Sequence, residues 1–532
     1  MFKHSQLESV KAWLSHPTHA SMPLHARIQR AIRQLIVDGR LKRGKPLPAS
    51  RSLSQSLGVS RDTVEAAYAQ LHAEGFIDRR VGSGSFVAQT PELQSRQSRP
   101  RPHATRQSSS QLSRRGDALF GLGGITEIQA PRPFAPGVPD VRSFPLAIWE
   151  RLQRQVIKEL GADALCHADP QGVQPLRQAI ADYLNLERGA RTTADQVLIL
   201  TSSQQALTLF ATMLFDPGER IYIENPVYQG AQKAFDAAGL ISVPVAVAVD
   251  QQGMALAPII SDPKPGRGVF VTPSHQFPTG TTLSLKRRLQ LIDWAQRHNA
   301  FILEDDYDSE FHYVGKPTAC LQGLDTHDRT LYIGTFTKSL FPGLRIGYAV
   351  LPQSLVKPMT AARTLLDGHS ASIAQYTLTR FIEGGPFGIH IRSMRRIYAQ
   401  RLVALQQLVD RHLSEFVIPQ VPAGGLQLPC ILACNLCEQT VVEAAARIGI
   451  ELIGLSSLHA GTTDRKGFLI GFAAYTPLQL EAATQKLAAL FQSLTNNPHA
   501  RMPGNSAGAF APHSGRSRPR RDDRGSDNKG GK

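Results

Sequence analysis

The sequence predicts an α/β protein: a winged helix-turn-helix, a flexible linker, and a larger domain on a mostly parallel sheet with a small α+β subdomain. Three observations predict it. Between residues 131 and 495, short apolar runs (VLIL, RIYIENP, GVFVTP, AFILEDD, LYIGTF, RIGYAVL) alternate with helical patterns, the order that builds a parallel sheet. GLQLPCILA and GFLIGFAAY, near the end, suit strands of the smaller subdomain. Residues 20–90 carry successive amphipathic helices and a hairpin, and residues 91–130 set them apart from the rest.

In PLHARIQRAIRQLIVDGRL, Leu24, Ile28, Ile32, Leu35 and Ile36 fall on one helical face. ASRSLSQSLG follows, burying Leu53 and Leu57 and stopping at Gly58. The turn Gly58-Val59-Ser60 leads into a helix capped by Ser60, with Val64, Ala67, Tyr68 and Leu71 inward and Gly75 at its end. Two helices across so short a turn make a helix-turn-helix. Arg61, Asp62, Thr63, Glu65 and Ala66 then face away from the core, where base edges are read. FIDRRVGSGSFVA gives two strands joined by Gly82-Ser83-Gly84, a wing that sets Arg79 and Arg80 toward phosphates.

The linker is clearest at PELQSRQSRPRPHATRQSSSQLSRRGDA, which has almost no large apolar residue and cannot form a core. The segment 496–532 has the same character and is expected to be a disordered basic tail. The net charge of +16 is unevenly spread. Residues 1–90 carry 13 basic against 6 acidic side chains, and residues 131–495 carry 32 against 31. A neutral body with basic appendages points to a polyanion such as nucleic acid.

At 532 residues, 42% hydrophobic and 19% charged, the chain suits a soluble protein of two or three domains. The N-terminus MFKHSQLESVKAW lacks the apolar stretch of a signal peptide. No apolar run reaches the roughly 18–20 residues of a membrane helix, so the chain reads as cytoplasmic. Five cysteines fit a reducing compartment. Cys430, Cys434 and Cys437 cluster without zinc-site spacing and read as buried thiols in an apolar strand; no metal site is expected.

One lysine stands out. GTFTKSLFPGLRIGY places Lys338 at the end of an apolar strand, where an unpartnered ammonium is costly. A Schiff base with pyridoxal phosphate would occupy its nitrogen, and the cofactor would then need partners. Asp305 could pair with the pyridine nitrogen, and Tyr307 could reach the phenolic oxygen. Ser203 and Gln204 open a helix whose N-terminus suits the phosphate, with Thr335 and Arg345 beside Lys338. Tyr228 could stack on the ring. Each residue alone has an ordinary reading: a solvated acidic run for Asp305, Asp306 and Asp308, a helix cap for Ser203, core packing for Tyr228. Their joint position after strands favours the site.

Residues 20–90 resemble the winged helix of the GntR regulators through Pro23-Leu24, Gly39-Arg40-Leu41, Gly44, Leu47-Pro48, Ser50-Arg51, Leu57-Gly58-Val59-Ser60-Arg61, Thr63-Val64 and Gly82-Ser83-Gly84. The resemblance implies DNA contacts from Ser50, Arg51, Ser60, Arg61, Thr63, Arg79, Arg80, Gly82 and Ser83. Residues 130–490 resemble fold-type I aminotransferases, with DPQGVQPLRQAIADYL as a further match. The fusion, with SLFPGLRIGY and PSHQFPTG, resembles the MocR-type regulators. It implies Lys338 as the Schiff-base lysine and the roles above for Ser203, Gln204, Tyr228, Asp305, Tyr307, Thr335 and Arg345.

Four positions depart from the aminotransferase pattern. Leu469 stands where an arginine binds a substrate carboxylate, and Phe277 where an asparagine is usual. His167 replaces a tyrosine lent to the neighbouring subunit, and Ser202 a glycine of the phosphate turn. In HIRSMRRIYAQRLVALQQL, the basic residues read as a solvated helix face. The reading is therefore a homodimeric transcription regulator that binds promoter DNA and senses pyridoxal phosphate, or an amine or amino acid, at Lys338, with at most weak transaminase activity. The alternatives are an active aminotransferase with a DNA-binding appendage, which Leu469 opposes, and a body that has lost the cofactor and only dimerises, which the spacing of Asp305, Lys338 and Arg345 opposes.

Overall fold

The structure is a computed structural model that describes residues 4–16, 21–80, 83–88, 112–125, 130–247, 250, 252–315 and 318–496. The chain divides into two compact units, residues 1–111 and 112–532.

In the first unit, helices Leu24–Val37, Ser50–Leu57 and Arg61–Ala73 precede a hairpin of β1 (Ile77–Arg80) and β2 (Gly84–Val87). Their inward faces meet in one cluster that includes Ile28, Ile32, Leu35, Leu53, Val64, Tyr68, Leu71, Ile77 and Val87. Gly58 ends the second helix at φ 68°, a left-handed conformation that glycine adopts without a Cβ clash. The Ser60 hydroxyl accepts the Thr63 N–H at 3.2 Å and so starts the third. Leu24, expected inward, is exposed at the first position of its helix. Gln29 takes a buried place on that helix instead, its amide donating to the Glu74 carboxylate at 2.6 and 2.8 Å. A further helix, His4–Ser15, lies outside the span read from the sequence, and its Val10 is buried in the same cluster.

The second unit opens with the helix Arg114–Gly121, capped by Ser113 and burying no side chain. It falls within the stretch read as linker. The rest of that linker up to residue 111, and the tail from residue 497, lie outside the described residues. Seven strands follow: β3 (Val197–Leu200), β4 (Arg220–Asn225), β5 (Ile241–Ala246), β6 (Gly268–Val271), β7 (Phe301–Asp306), β8 (Thr330–Thr335) and β9 (Gly347–Val350). Their spatial order is β3-β9-β8-β7-β6-β4-β5. All run parallel except β9, which is antiparallel to both its neighbours. The sequence reading does not include β5, whose apolar run ISVPVA is interrupted by Pro244.

Alternation along the strands sorts the core into layers. Leu198, Leu200, Ile223, Leu303, Leu331 and Ile333 pack against helix Ser203–Leu214 on one face. Val269, Val271 and Ile302 pack with Leu291 and Trp294 of helix Leu285–Arg297 on the other. The smaller sheet is antiparallel, ordered β10 (Val417–Pro419), β11 (Gln427–Leu432), β13 (Gly467–Gly471), β12 (Ile453–Gly454).

Ile32 is fully buried at the centre of the first unit. Ile32→Ala is expected to cost that unit about 2–5 kcal/mol, because the cavity only partly collapses. Native-state hydrogen exchange at the amides of residues 24–37 in the full chain, read by mass spectrometry, measures it.

Candidate functional site

The site forms where the parallel strands end. Asp305 of β7 lies opposite Ile333 of β8, and Asp306 opposite Gly334. Two parallel neighbours finish on the same edge of a sheet, so Asp305 and the turn after β8 come together. That turn is the short helix Phe336–Ser339, which carries Lys338. Thr335 starts it, its hydroxyl accepting the Thr337 N–H at 3.2 Å. The Lys338 Nζ donates to the Gly137 carbonyl at 2.6 Å. Gly137 has φ +69°, and a Cβ there would lie 3.3 Å from that nitrogen.

The acidic run is buried, not solvated. Asp305 is only 4% exposed, and its Oδ1 has no hydrogen-bond partner. Burial, then the charges of Asp306, Asp308 and Glu224, push its carboxyl up to about 7 against the pull of Lys338. Asp306 points to the opposite face. Burial alone would raise it, but Arg188 at 2.9 Å and the Tyr332 hydroxyl at 2.6 Å hold it below the ordinary carboxylate range. Asp308 meets His275 Nδ1 at 2.8 Å, and burial raises its carboxyl.

Helix Ser203–Leu214 brings its N-terminus to the same edge. Ser202 caps it, accepting the Gln205 N–H at 3.2 Å, so the hydroxyl that replaces a glycine starts the helix. Thr335 pairs with Gly347 across β8 and β9, and a Cβ on Gly347 would sit 3.1 Å from the Ser202 backbone. The ends of β8 and β9 therefore abut the first turn of this helix. Arg345, just before β9, adopts φ 53° and closes the turn Pro342–Leu344. The Gln204 amide donates to the Gly230 carbonyl at 2.9 Å, while its Oε1 is buried without a partner. A Cβ on Gly230 would collide with the Tyr228 ring and with that oxygen. The Tyr228 ring is edge-on to Phe277 at 6.0 Å, and Phe277 to Tyr307 at 6.3 Å. Burial pushes the Tyr307 hydroxyl well above its usual range.

On the first unit, Arg61 Nε donates to the Ser50 hydroxyl at 3.4 Å, and the Ser60 and Thr63 hydroxyls lie 2.7 Å apart. Arg79 pairs with the Glu65 carboxylate at 3.2 Å, and the Arg80 guanidinium stacks 4.8 Å over the Phe86 ring. Arg51 and Ser83 are exposed. Gly82 lies outside the described residues.

Two expectations are corrected. Of the three clustered cysteines, only Cys430 is a buried strand thiol; Cys434 follows β11 and Cys437 caps helix Glu438–Arg447, both half-buried, because the strand stops at Leu432. On the basic helix, Pro386–His412, Arg392 and Arg396 are exposed as read, but Arg395 donates to the Glu310 carbonyl at 2.8 Å and Arg401 is buried against Asp140 at 2.8 Å. Sequence reasoning also passed over Glu224, Gly137 and Arg188. Glu224 accepts the Thr272 N–H at 3.0 Å and its hydroxyl at 2.6 Å, and burial raises its carboxyl to about 7. A glutamate inside RIYIENP was the available signal.

Residues 24–87 match the family of bacterial regulatory proteins of the gntR family, and residues 145–424 match aminotransferase class I and II. The probable rhizopine catabolism regulatory protein MocR of Rhizobium meliloti is 34% identical over 90% of this chain and 96% of its own. The HTH-type pyridoxine biosynthesis transcriptional regulator PdxR of Corynebacterium glutamicum is 29% identical over 86% and 93%. The chain belongs to the MocR-type transcriptional regulators. The α-aminoadipate aminotransferase LysN of Thermus thermophilus shares its fold, with a TM-score of 0.64 and 24% identity over 69% of this chain and 96% of that one. The MocR-type architecture thus joins a DNA-binding helix-turn-helix of the GntR class to a pyridoxal-phosphate-type fold. No helix among the described residues is long and apolar enough to cross a membrane.

The residues of this MocR-type site fit pyridoxal phosphate. The unmatched oxygens of Asp305 and Gln204 are buried polar atoms that a ligand would satisfy. A raised carboxyl favours the folded state below the unfolded value of about 3.9 and costs stability as pH climbs toward 7. Asp305→Asn, stripped of small molecules, is therefore expected to outlast the parent at pH 8, with the gap closing below about pH 4. Thermal unfolding across pH checks it.

Proposed function

We propose that this regulator binds pyridoxal phosphate through Lys338 and couples the occupancy of that site to promoter binding by its winged helix. The observation that carries the reading is a lysine amine at the strand edge where Asp305 holds a buried, unmatched oxygen. Asp305 is suited to a protonated ring nitrogen, because a cation beside it removes the cost of its buried charge. Tyr307 is assigned to the phenolic oxygen and Tyr228 to the ring face. Ser203 and Gln204, at a helix N-terminus, are assigned to the phosphate with Thr335 and Arg345. Pyridoxal phosphate supplies an electron-withdrawing ring and a carbonyl that amines attack. The Gly137 carbonyl orients the Lys338 amine, and the Phe277 ring stands edge-on to both Tyr228 and Tyr307.

The signal is the cofactor itself or an amine or amino acid that displaces Lys338. The names of PdxR and MocR, which concern pyridoxine and rhizopine, support a small-molecule signal. So does the LysN structure, which holds N-(5'-phosphopyridoxyl)-L-leucine. The protein works in the cytoplasm as a homodimer, two winged helices reading paired half-sites of double-stranded DNA. Ser50, Arg51, Ser60, Arg61, Thr63, Arg79, Arg80, Gly82 and Ser83 form the contact surface. Sustained transamination is disfavoured by Leu469, fully buried among hydrocarbon side chains.

Borohydride reduction of the protein with pyridoxal phosphate, followed by mass spectrometry, is expected to fix one cofactor per chain at Lys338. Lys338→Ala is expected to fix none there while keeping the parent's circular dichroism. An undiminished adduct in that variant refutes the assignment.

Promoter affinity is expected to fall with salt, and replacing Arg79 and Arg80 with alanine lowers the logarithmic slope by about 0.9 for each phosphate that is no longer neutralised. Replacing Arg79 also leaves Glu65 unpaired, so binding weakens across all sequences alike. Fluorescence anisotropy over a salt series measures both.

A further inference from the structure

The small sheet meets the segment that holds Lys338 at Gln427, whose amide oxygen would lie 3.6 Å from a Cβ on Gly137, and beside it presents hydrocarbon. β13 reaches the site through its last residue. The Gly471 N–H donates to the Phe134 carbonyl at 2.8 Å, and a Cβ on Gly471 would strike the Ala135 carbonyl. The same segment, 134–137, ends on the carbonyl that holds the Lys338 amine. Alternation along a strand sets Leu469 on the same face as Gly471. Leu469 packs with Leu455 and Leu458, and Phe277, Ile431 and Ile453 close around them. Phe277 then stands edge-on to Tyr228 and to Tyr307. One apolar surface thus runs from β13 to the two tyrosines.

This wall is fixed from several sides. The Phe277 N–H donates to the Thr272 hydroxyl at 3.0 Å, which itself donates to Glu224 at 2.6 Å. The Leu458 carbonyl accepts the Val227 N–H at 3.0 Å, beside Tyr228. The Glu438 carboxylate accepts the N–H groups of Ser456 at 3.1 Å and Gly467 at 2.7 Å, holding the turn and the strand together. Two arginines near the segment are already engaged: Asp140 takes Arg401 at 2.8 Å and Arg142 at 3.3 Å.

We propose that the molecule accepted beside Lys338 is a primary amine with an apolar body and no carboxylate on its amine-bearing carbon, an inference that rests on the cofactor reading above. A carboxylate pressed against Leu469 and Phe277 gives up its water to hydrocarbon, which is costly without a cation. An arginine fork would supply that cation, and leucine supplies only surface for alkyl or aryl groups. Leu469 and Phe277 are the specificity-determining residues.

The test compares probes that differ only in the carboxylate: 2-phenylethylamine against L-phenylalanine, and 3-methylbutylamine against L-leucine. Each is titrated into the full-length protein loaded with pyridoxal phosphate, read by visible absorption and by thermal shift. The amines are expected to act at concentrations at least about tenfold lower than their amino acids. Leu469→Arg is expected to narrow or reverse that preference. Should the variant not fold, the paired probes on the parent still decide. A parent that fixes cofactor with borohydride but takes the amino acids as well as the amines, or takes neither, overturns this inference alone. A parent that fixes no cofactor overturns both readings.

Discussion

The parallel pairing of β7 with β8 is the constraint on which the rest of this site depends. Because the two strands run the same way, Asp305 and the Lys338 turn emerge on one edge although 33 positions separate them in sequence. Reverse either strand and the lysine would lie at the far side of the sheet. The neighbouring β9 is reversed, and this serves the same end. It brings Gly347, just after Arg345, back against Ser202 at the first turn of the helix that follows β3.

The two adjacent aspartates show how one strand carries two opposite electrostatic tasks. Asp306 faces a buried arginine and the Tyr332 hydroxyl, which both meet its Oδ2 and hold it ionised, while its Oδ1 is unmatched. A buried pair of this kind gives little net stability but is expensive to break, so it fixes where the strand ends. Asp305 faces the other way and keeps an oxygen unanswered. The fold bears that cost beside the short turn that delivers Lys338. Unsatisfied buried polar atoms in native proteins are uncommon, and Gln204, at the helix N-terminus that reaches the same edge, leaves an oxygen unmatched as well.

The apolar wall and the polar floor are built by different parts of the second unit. The large sheet and the turns at its edge supply the Asp305 carboxylate, the Lys338 amine and the helix N-terminus at Ser203. The small sheet supplies Leu469, with Phe277 bridging the two. Lys338 and the strand that carries Leu469 are joined through the segment 134–137, which meets both. In the first unit, by contrast, the arginines are held at low cost by Glu65, Ser50 and the Phe86 ring, arrangements that a phosphate can displace.

The sequence by itself determined the winged helix and six of the seven large-sheet strands. Local rules suffice there: a left-handed glycine ends one helix, a serine caps the next, and Ile28, Ile32, Val64 and Leu71 recur at helical spacing. The convergence of Lys338, Asp305 and Tyr228 could be read because each lies at or just after the end of a strand, and strand ends of a parallel sheet converge. β5 was passed over although ISVPVA is apolar: Pro244 interrupts the run, which the fold accommodates because β5 is an edge strand with only Val245 buried. Only the tertiary structure decided that Asp305 is orphaned while Asp306 is paired, since Arg188 comes from a segment more than a hundred residues away. Likewise Gly137 reaches Lys338 across 201 positions, and Leu469 meets Phe277 from another sheet. Such contacts are set by packing between distant segments, and no local pattern of residues encodes them.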